Sequence, residues 1–420
     1  MLDLKFIRTH PELVKKSAEA KGEKVDIDSL LKLDEKMRTL KSTVEELRAK
    51  RNRESEEIGE IKKRGLEVRE RVQEMRNLSS KIKEKEGELR EVEEKIENLL
   101  SYIPNLAHSS VPIGKGKEDN KIIREEGEKR SFSFPPKNHL ELAENLDILD
   151  FKRSVKIVGS NFPLFKGKGA LLERALINLF LDVHIQRGYK EISPPLLVNR
   201  SSMFNTGQLP KLEGDMYCLE KDNLFLIPTA EVPLTNLHRD EILDERELPL
   251  KYVAYTPCFR REAGSYGRET KGLVRVHQFD KVELVKFVHA ENSYEELESL
   301  LTDAEEVLKR LNLPYRVVLL CTGELSFAST KCYDLEVFAP GSNLWLEVSS
   351  CANFEDFQAR RANIRYRTKQ GLRYVHTLNA SGVALARTLI ALLENYQQED
   401  GSIKLPSVLE KYIDGKEIRK

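Results

Sequence analysis

The feature that most limits how this chain can fold is a pair of apolar series spaced three and four apart, with no proline between Glu12 and Ile103. The first series runs Leu30, Leu33, Met37, Leu40, Val44, Leu47, Ile58 and Ile61, with Arg51 and Glu54 keeping its phase. The second runs Val68, Met75, Leu78, Ile82, Leu89, Val92, Ile96, Leu99 and Ile103, with Arg71 and Lys85 filling the same register. A repeat averaging about 3.5 residues keeps one stripe of a helix against a partner helix. Gly65 lies between the two series. The expectation is therefore an antiparallel helical hairpin within one chain, each arm of about 35 residues reaching roughly 50 Å. Before it, Leu2 to Ala20 reads as a short amphipathic helix interrupted at Pro11. After it, residues 104–136 read as a connector with short elements, broken by prolines and glycines.

Charge is dense on these arms: 37 of the 70 residues from 31 to 100 are ionisable acids or bases, so their outer faces must be solvated. The distribution is uneven. Residues 61–83 carry Lys62, Lys63, Arg64, Arg69, Arg71, Arg76, Lys81 and Lys83 against three acids, whereas residues 84–100 hold seven Glu against three bases. Two readings stand at this point: a helix surface laced with ion pairs, or a projecting rod whose basic tip tracks a phosphate backbone.

Over the full 420 residues the balance is 69 Lys plus Arg against 69 Asp plus Glu, which excludes a uniformly basic nucleic-acid coat or an acidic tail. Length alone asks for two or more domains. Five Cys at 218, 258, 321, 332 and 351 fall at spacings that match neither paired zinc ligands nor a disulfide framework. No structural metal is expected. With no apolar run near the roughly 20 residues that span a bilayer and no signal-like start, the expectation is a soluble cytoplasmic protein with no membrane partner.

From Phe151 onward the texture mixes helix and strand. Residues 169–188 hold Leu172, Ala175, Leu176, Leu179 and Val183 at helical spacing, stopped by Gly188. Tyr189 to Val198 includes Pro194 and Pro195, so any strand there belongs at a sheet edge or an interface. Residues 252–262 then read as a strand ending Phe259-Arg260-Arg261-Glu262, followed by a loop over 263–272 and a second strand over 273–283. Alternation places Arg275, His277, Phe279, Lys281 and Glu283 on one face of that second strand, and Val274, Val276 and Val282 on the other. An ordinary solvent face favours Lys, Glu and Thr, whereas this one carries guanidiniums for bidentate anion binding and a ring for stacking.

These loop-linked strands resemble motif 2 of the class II aminoacyl-tRNA synthetases. Ser381-Gly382-Val383-Ala384-Leu385-Ala386-Arg387, opening an apolar helix, resembles their motif 3, and the Tyr189 to Val198 stretch resembles motif 1, which forms the dimer interface in that family. Thr206-Gly207-Gln208-Leu209-Pro210-Lys211, Thr229-Ala230-Glu231, Glu347-Val348-Ser349-Ser350 and the helical arm extend the likeness, over essentially the whole chain, to the seryl-tRNA synthetases. The resemblance implies an α+β protein: residues 1–104 as a tRNA-binding domain with a coiled-coil arm, and residues 105–420 as a catalytic domain with a mainly antiparallel sheet flanked by helices. It implies a homodimer that activates L-serine with ATP and Mg²⁺, without zinc, and transfers it to tRNA(Ser), and to tRNA(Sec) in organisms possessing one.

Carried over position by position, Arg260 bridges the serine carboxylate and the α-phosphate, and Arg275 and Arg387 hold the outer phosphates as the other catalytic residues. Thr229, Ala230, Glu231, Glu283 and Ser381 join Arg260 in the serine pocket. Arg261, Glu262, Val276, Phe279, Glu347, Val348, Ser349 and Ser350 complete the ATP site, with Glu347 and Ser350 toward the metal. Arg268 and Lys271 in the loop, with Lys62, Lys63, Arg64, Arg69, Arg71 and Arg76 on the arm, address tRNA. Because Glu347 and Ser350 are three apart, their strand must end or bulge between them if both face one ligand. Two alternatives are a class II-like enzyme that loads a carrier protein and a coiled-coil scaffold. The first does not account for the basic-tipped arm, nor the second for Arg260, Glu262, Arg275, Phe279, Glu283 and Arg387 together.

Overall fold

A computed structural model describes residues 1–65, 67–262 and 272–420, which divide into two compact units. One holds residues 2–19 and 23–103; the other holds residue 1, residues 20–22 and residues 104–420. No helix among the described residues is long and apolar enough to cross a membrane.

The first unit is helical. α1 (Leu4–Thr9) and α2 (Pro11–Ala20) meet at Pro11, and the long arms are α3 (Ile27–Lys63) and α4 (Arg69–Ser101). Asp26 caps α3 by accepting from the Ser29 N–H at 3.0 Å. The apolar seam packs as its spacing predicts: Leu30, Leu40, Val44 and Ile58 face Ile82, Val92 and Ile96, all buried. Gly65 supplies a φ of +75° just beyond the end of α3. One register position fails. Arg71 is exposed and pairs across the hairpin with Glu57 at 3.1 Å, while Val72 is the half-buried residue there. An apolar side chain one position on takes the seam because it loses no solvation there. Arg48–Glu86 (2.7 Å) and Lys41–Glu93 (2.9 Å) also bridge the arms, so part of the charge does serve as ordinary surface pairing.

The second unit is built on an eight-stranded sheet. Its strands in chain order are β1 (Lys121–Glu126), β2 (Lys190–Glu191), β3 (Leu250–Phe259), β4 (Gln278–Val288), β5 (Tyr315–Leu319), β6 (Lys331–Ala339), β7 (Leu344–Asn353) and β8 (His376–Ala384). Across the sheet the order is β1-β5-β6-β7-β8-β4-β3-β2, antiparallel throughout except for β2 against β3. β2 lies at the edge, as its following prolines require. The connector contributes the other edge, β1, which its exposed Lys-Ile-Ile-Arg-Glu-Glu sequence did not announce.

Helices α5 (His139–Leu146), α6 (Phe151–Ile157), α7 (Lys168–Gln186), α8 (Arg200–Asn205), α9 (Glu231–Thr235), α10 (Ser293–Arg310), α11 (Phe357–Ala362) and α12 (Leu385–Tyr396) complete the unit. α7, α10 and α12 bury Leu172, Leu176, Phe180, Leu300, Val307, Leu389 and Leu392 in one core with Val282, Leu284, Leu335 and Leu378 of the sheet. At about 25 cal/mol per Å² of apolar area removed from water, this burial dominates the stability of the unit.

One buried carboxylate ties three segments together. Glu394 of α12 accepts from the His139 N–H (2.9 Å), the Ser342 N–H (2.8 Å) and the Ser342 hydroxyl (2.7 Å), so it fixes α5 and the β6–β7 turn to α12. Glu394→Ala should cost about 3 kcal/mol, because the two N–H donors are left buried and unpaired. Urea denaturation checks this, and a loss below about 1 kcal/mol would mean that water replaces the carboxylate.

Candidate functional site

The sheet opens into a cavity of about 610 Å³ lined by side chains from several segments of the second unit. Its geometry rests on two irregularities. On β7, Leu335 pairs with Ser349 and Glu336 with Glu347, so Val348 is an extra residue and the strand bulges. Glu347 and Ser350 therefore share a side, and the Ser350 hydroxyl donates to Glu347 Oε1 at 3.2 Å. On β8, Ser381 pairs with Glu283 and Ala384 with Lys281, leaving Gly382 and Val383 opposite Val282 alone. Val383 is buried at φ +100°, a backbone conformation that is strained for a β-branched residue. Beside it Gly382 must lack a side chain, because a Cβ would stand 2.9 Å from His184 Nε2. That bulge ends the strand and starts α12 two residues before Arg387.

The second motif strand begins at Gln278, not at Leu273 as alternation suggested. β3 stops at Phe259 because Glu262 turns at φ +50°, and Gly272 at φ +68° sends the chain toward α5, where the Leu273 N–H meets His139 Nε2 at 3.4 Å. Arg275 and His277 therefore belong to a turn. Alternation does hold from Phe279 through Lys281 to Glu283, whose neighbours Val282 and Leu284 enter the core.

Thr229, Glu231, Arg260, Glu262, Arg275, Val276, Phe279, Glu347, Val348, Ser350, Ser381 and Arg387 all line the cavity. Arg260 lies over the Phe279 ring at 5.2 Å and donates to the Pro228 carbonyl at 3.2 Å. Arg275 stands 3.6 Å from Glu262. Arg387 donates to the Glu347 carbonyl at 2.9 Å and stands 3.4 Å from its carboxylate. Four assigned residues sit elsewhere. Arg261 is exposed over the Tyr217 ring, Ala230 packs in a hydrophobic cluster, Ser349 donates to the Ser381 carbonyl, and Glu283 is fully covered. Arg268 and Lys271 lie outside the described residues. Lys62, Lys63, Arg64, Arg69, Arg71 and Arg76 are exposed near the hairpin turn of the first unit.

Three residues that carried no assigned role support the cavity: Lys281 and Asn379 line it, and Gln358 is buried behind Glu231. Lys281 contacts Glu283 and donates to the Thr229 hydroxyl at 2.8 Å. Asn379 donates to Glu283 at 2.9 Å, and Gln358 to Glu231 at 2.7 Å. Period-two alternation does put Lys281 on the face of Phe279 and Glu283, but gives it no role. Asn379 and Gln358 arrive from distant segments and carry no local signal.

Burial, then the neighbouring Glu283 carboxylate, pushes Glu231 up to about 7, against the pull of Gln358, Lys281 and Arg260. Burial likewise raises Glu283. Glu347 is held low: burial opposes ionisation, but the Arg387 guanidinium and the Ser350 hydroxyl outweigh it. Asp334, next to Glu347, is driven well above the usual carboxylate range by burial and by that second carboxylate. Hard oxygens short of positive charge fit a divalent cation such as Mg²⁺. Glu347 and Ser350 are the cavity-lining pair that would hold it. No cluster of three or more His, Cys, Asp or Glu suited to a metal occurs among the described residues, so a nucleotide and water would supply the remaining ligands.

Residues 1–107 match the seryl-tRNA synthetase N-terminal domain, and residues 217–396 match the tRNA synthetase class II core domain (G, H, P, S and T). The chain is 57% identical to the serine–tRNA ligase of Caldanaerobacter subterraneus subsp. tengcongensis, with all of both chains covered. It is 54% identical to that of Thermodesulfovibrio yellowstonii, over 98% of this chain and 99% of the relative. The crystal structure of seryl-tRNA synthetase from Pyrococcus horikoshii complexed with ATP is similar at a TM-score of 0.93 and 40% identity, covering 100% of this chain and 99% of that one.

The raised Glu231 gives a direct check. Its carboxyl should titrate near pH 7 by carbon-detected NMR, and Glu283→Gln should move the midpoint down by removing a neighbouring negative charge. An unchanged midpoint would mean that the two carboxylates do not interact.

Proposed function

The chain belongs to the seryl-tRNA synthetase family, and we propose the following division of labour for its serine–tRNA ligase activity. The single observation that carries it is the convergence of Arg260, Arg275 and Arg387 from three segments on one cavity with Phe279, Glu231 and Glu347. In the first step a serine carboxylate oxygen bonds to the α-phosphorus of ATP, and the bond from that phosphorus to the bridging oxygen breaks, releasing pyrophosphate. Both reactants are anionic there, so the work is positioning and cationic stabilisation.

Arg260, centred between the Pro228 carbonyl and the Phe279 ring, is placed to hold serine carboxylate and α-phosphate together. Phe279 stacks the adenine, Glu262 accepts from its amino group, and the Val276 backbone borders it. Arg275 and Arg387 take the outer phosphates. Mg²⁺ held at Glu347 and Ser350 would neutralise phosphate charge when bound with the nucleotide. Among the described residues Glu231 has no cation in bonding contact, so its carboxylate is placed to take the serine ammonium. Glu283, covered and paired with Lys281, acts on the hydroxyl end from behind the pocket wall that Ser381 lines. In the second step the terminal ribose hydroxyl of tRNA attacks the seryl carbonyl and releases AMP.

Residues 1–104 act as the tRNA-binding domain and residues 105–420 as the catalytic one. The exposed basic cluster from Lys62 to Arg76 grips the phosphate backbone, largely by charge and shape, of tRNA(Ser) and of tRNA(Sec) where one exists. The working form is a cytoplasmic homodimer. Exposed Leu171 and Ile185 on α7 and Leu196 and Leu197 beyond β2 supply an apolar face for it, and sedimentation at a monomer's mass would remove this part.

Two variants test the assignment in parallel. Arg260→Ala should lower serine-dependent pyrophosphate–ATP exchange by about 10²-fold or more. Replacing Lys62, Lys63, Arg69, Arg71 and Arg76 together by Glu should leave exchange intact and abolish tRNA charging. Normal exchange in the first, or normal charging in the second, would overturn the role given to that group.

A further inference from the structure

Glu283 has no exposed side-chain surface and does not line the cavity; Lys281 does. The Lys281 side chain is 7% exposed, and its ammonium lies against the Glu283 carboxylate while donating to Thr229 Oγ1. An ammonium has three N–H donors. Among the described residues one is donated to Thr229 and the charge is set against the Glu283 carboxylate, so even with an N–H turned to each partner one is left for the space the side chain borders. Everything around it is fixed. The Glu283 carboxylate is held from its other side by Asn379, and Thr229 also accepts from the Glu231 N–H at 3.2 Å. The other charged and titratable groups facing this corner are Glu231 from α9, Arg260 from the end of β3 and the buried Cys258 thiol from within β3.

We infer that Lys281 is a specificity residue of the serine pocket: its third N–H donates to the substrate hydroxyl, with Glu283 and Thr229 as the partners that hold the ammonium in place. This deepens the serine-pocket reading above and rests on it. The physical reason is asymmetric. A buried ammonium with a donor aimed into the pocket loses nothing when the incoming side chain ends in a hydroxyl oxygen. When the side chain is a methyl group, as in alanine, that donor is shut away from water without a partner. A neutral donor such as Ser381 would penalise alanine less, since an unpaired charge costs more than an unpaired dipole.

The test compares kcat/KM for serine and for alanine in pyrophosphate–ATP exchange with the full-length enzyme. Lys281→Met keeps an unbranched chain as far as the ε position and removes the donor, and should lower the serine-over-alanine ratio by about tenfold or more, with KM for ATP within about twofold of the parent. Because Lys281→Met leaves Glu283 buried without its cation and risks misfolding, the double variant Lys281→Met/Glu283→Gln is measured alongside, with the same expectation. A parental ratio in whichever variant folds overturns the proposal, and so does an equal loss for serine, alanine and ATP, the signature of a merely structural lysine. Glu231→Gln separates this failure from failure of the pocket itself. It should raise KM for serine, and an unchanged KM there would overturn the serine pocket and the inference with it.

Discussion

Two carboxylates and an ammonium buried side by side at the bottom of an open cavity are the interaction on which the site depends. Neither Glu231 nor Glu283 is stable there as a lone charge; Lys281 contacts Glu283 and, together with Arg260, acts on Glu231 from a distance. Its strand places it correctly for a simple reason. β4 is central, so Phe279 and Lys281 face the cavity, with Glu283 covered on the same side, while Val282 and Leu284 anchor it in the core. A slip of one residue in that strand would put the lysine into hydrocarbon and a valine into the site. The hydrophobic packing behind the sheet and the electrostatics in front of it thus enforce the same register.

The bulges on β7 and β8 do what regular strands cannot. Two residues three apart on a flat strand face opposite ways, yet Glu347 and Ser350 bond to each other. The extra Val348 makes that possible. The extra residue at Gly382–Val383 turns the end of β8 into the start of α12, so Ser381 and Arg387 border one cavity from different kinds of backbone. Irregular backbone is concentrated where ligands are to be met, while α7, α10 and the rest of α12 are ordinary helices closed by apolar contacts.

Much of this was legible in the chain because it follows from periodicity. The spacing of Leu30 to Ile61 and Val68 to Ile103 gave the hairpin, Gly65 its turn, and the prolines after Ser193 an edge strand. The resemblance carried most site residues to positions that the fold gathers. What was missed depends on non-local contacts. Arg275 lies on a turn because Gly272 is drawn to His139, more than a hundred residues away, and no local pattern encodes that. Arg71 yields the seam to Val72, which loses no solvation there, and pairs with the exposed Glu57 of the other arm. Gln358 and Asn379 reach the site from strands and helices whose own sequences are unremarkable.

The left-handed Val383 has a consequence beyond aiming its neighbours. A glycine there would relieve the torsional strain at once, yet it would also let the strand–helix junction sample many arrangements before substrate arrives. A branched residue in a costly conformation, fully enclosed by the core, removes that freedom in advance. The fold gives up a little resilience at one peptide so that the groups on either side of it need no rearrangement when a ligand enters.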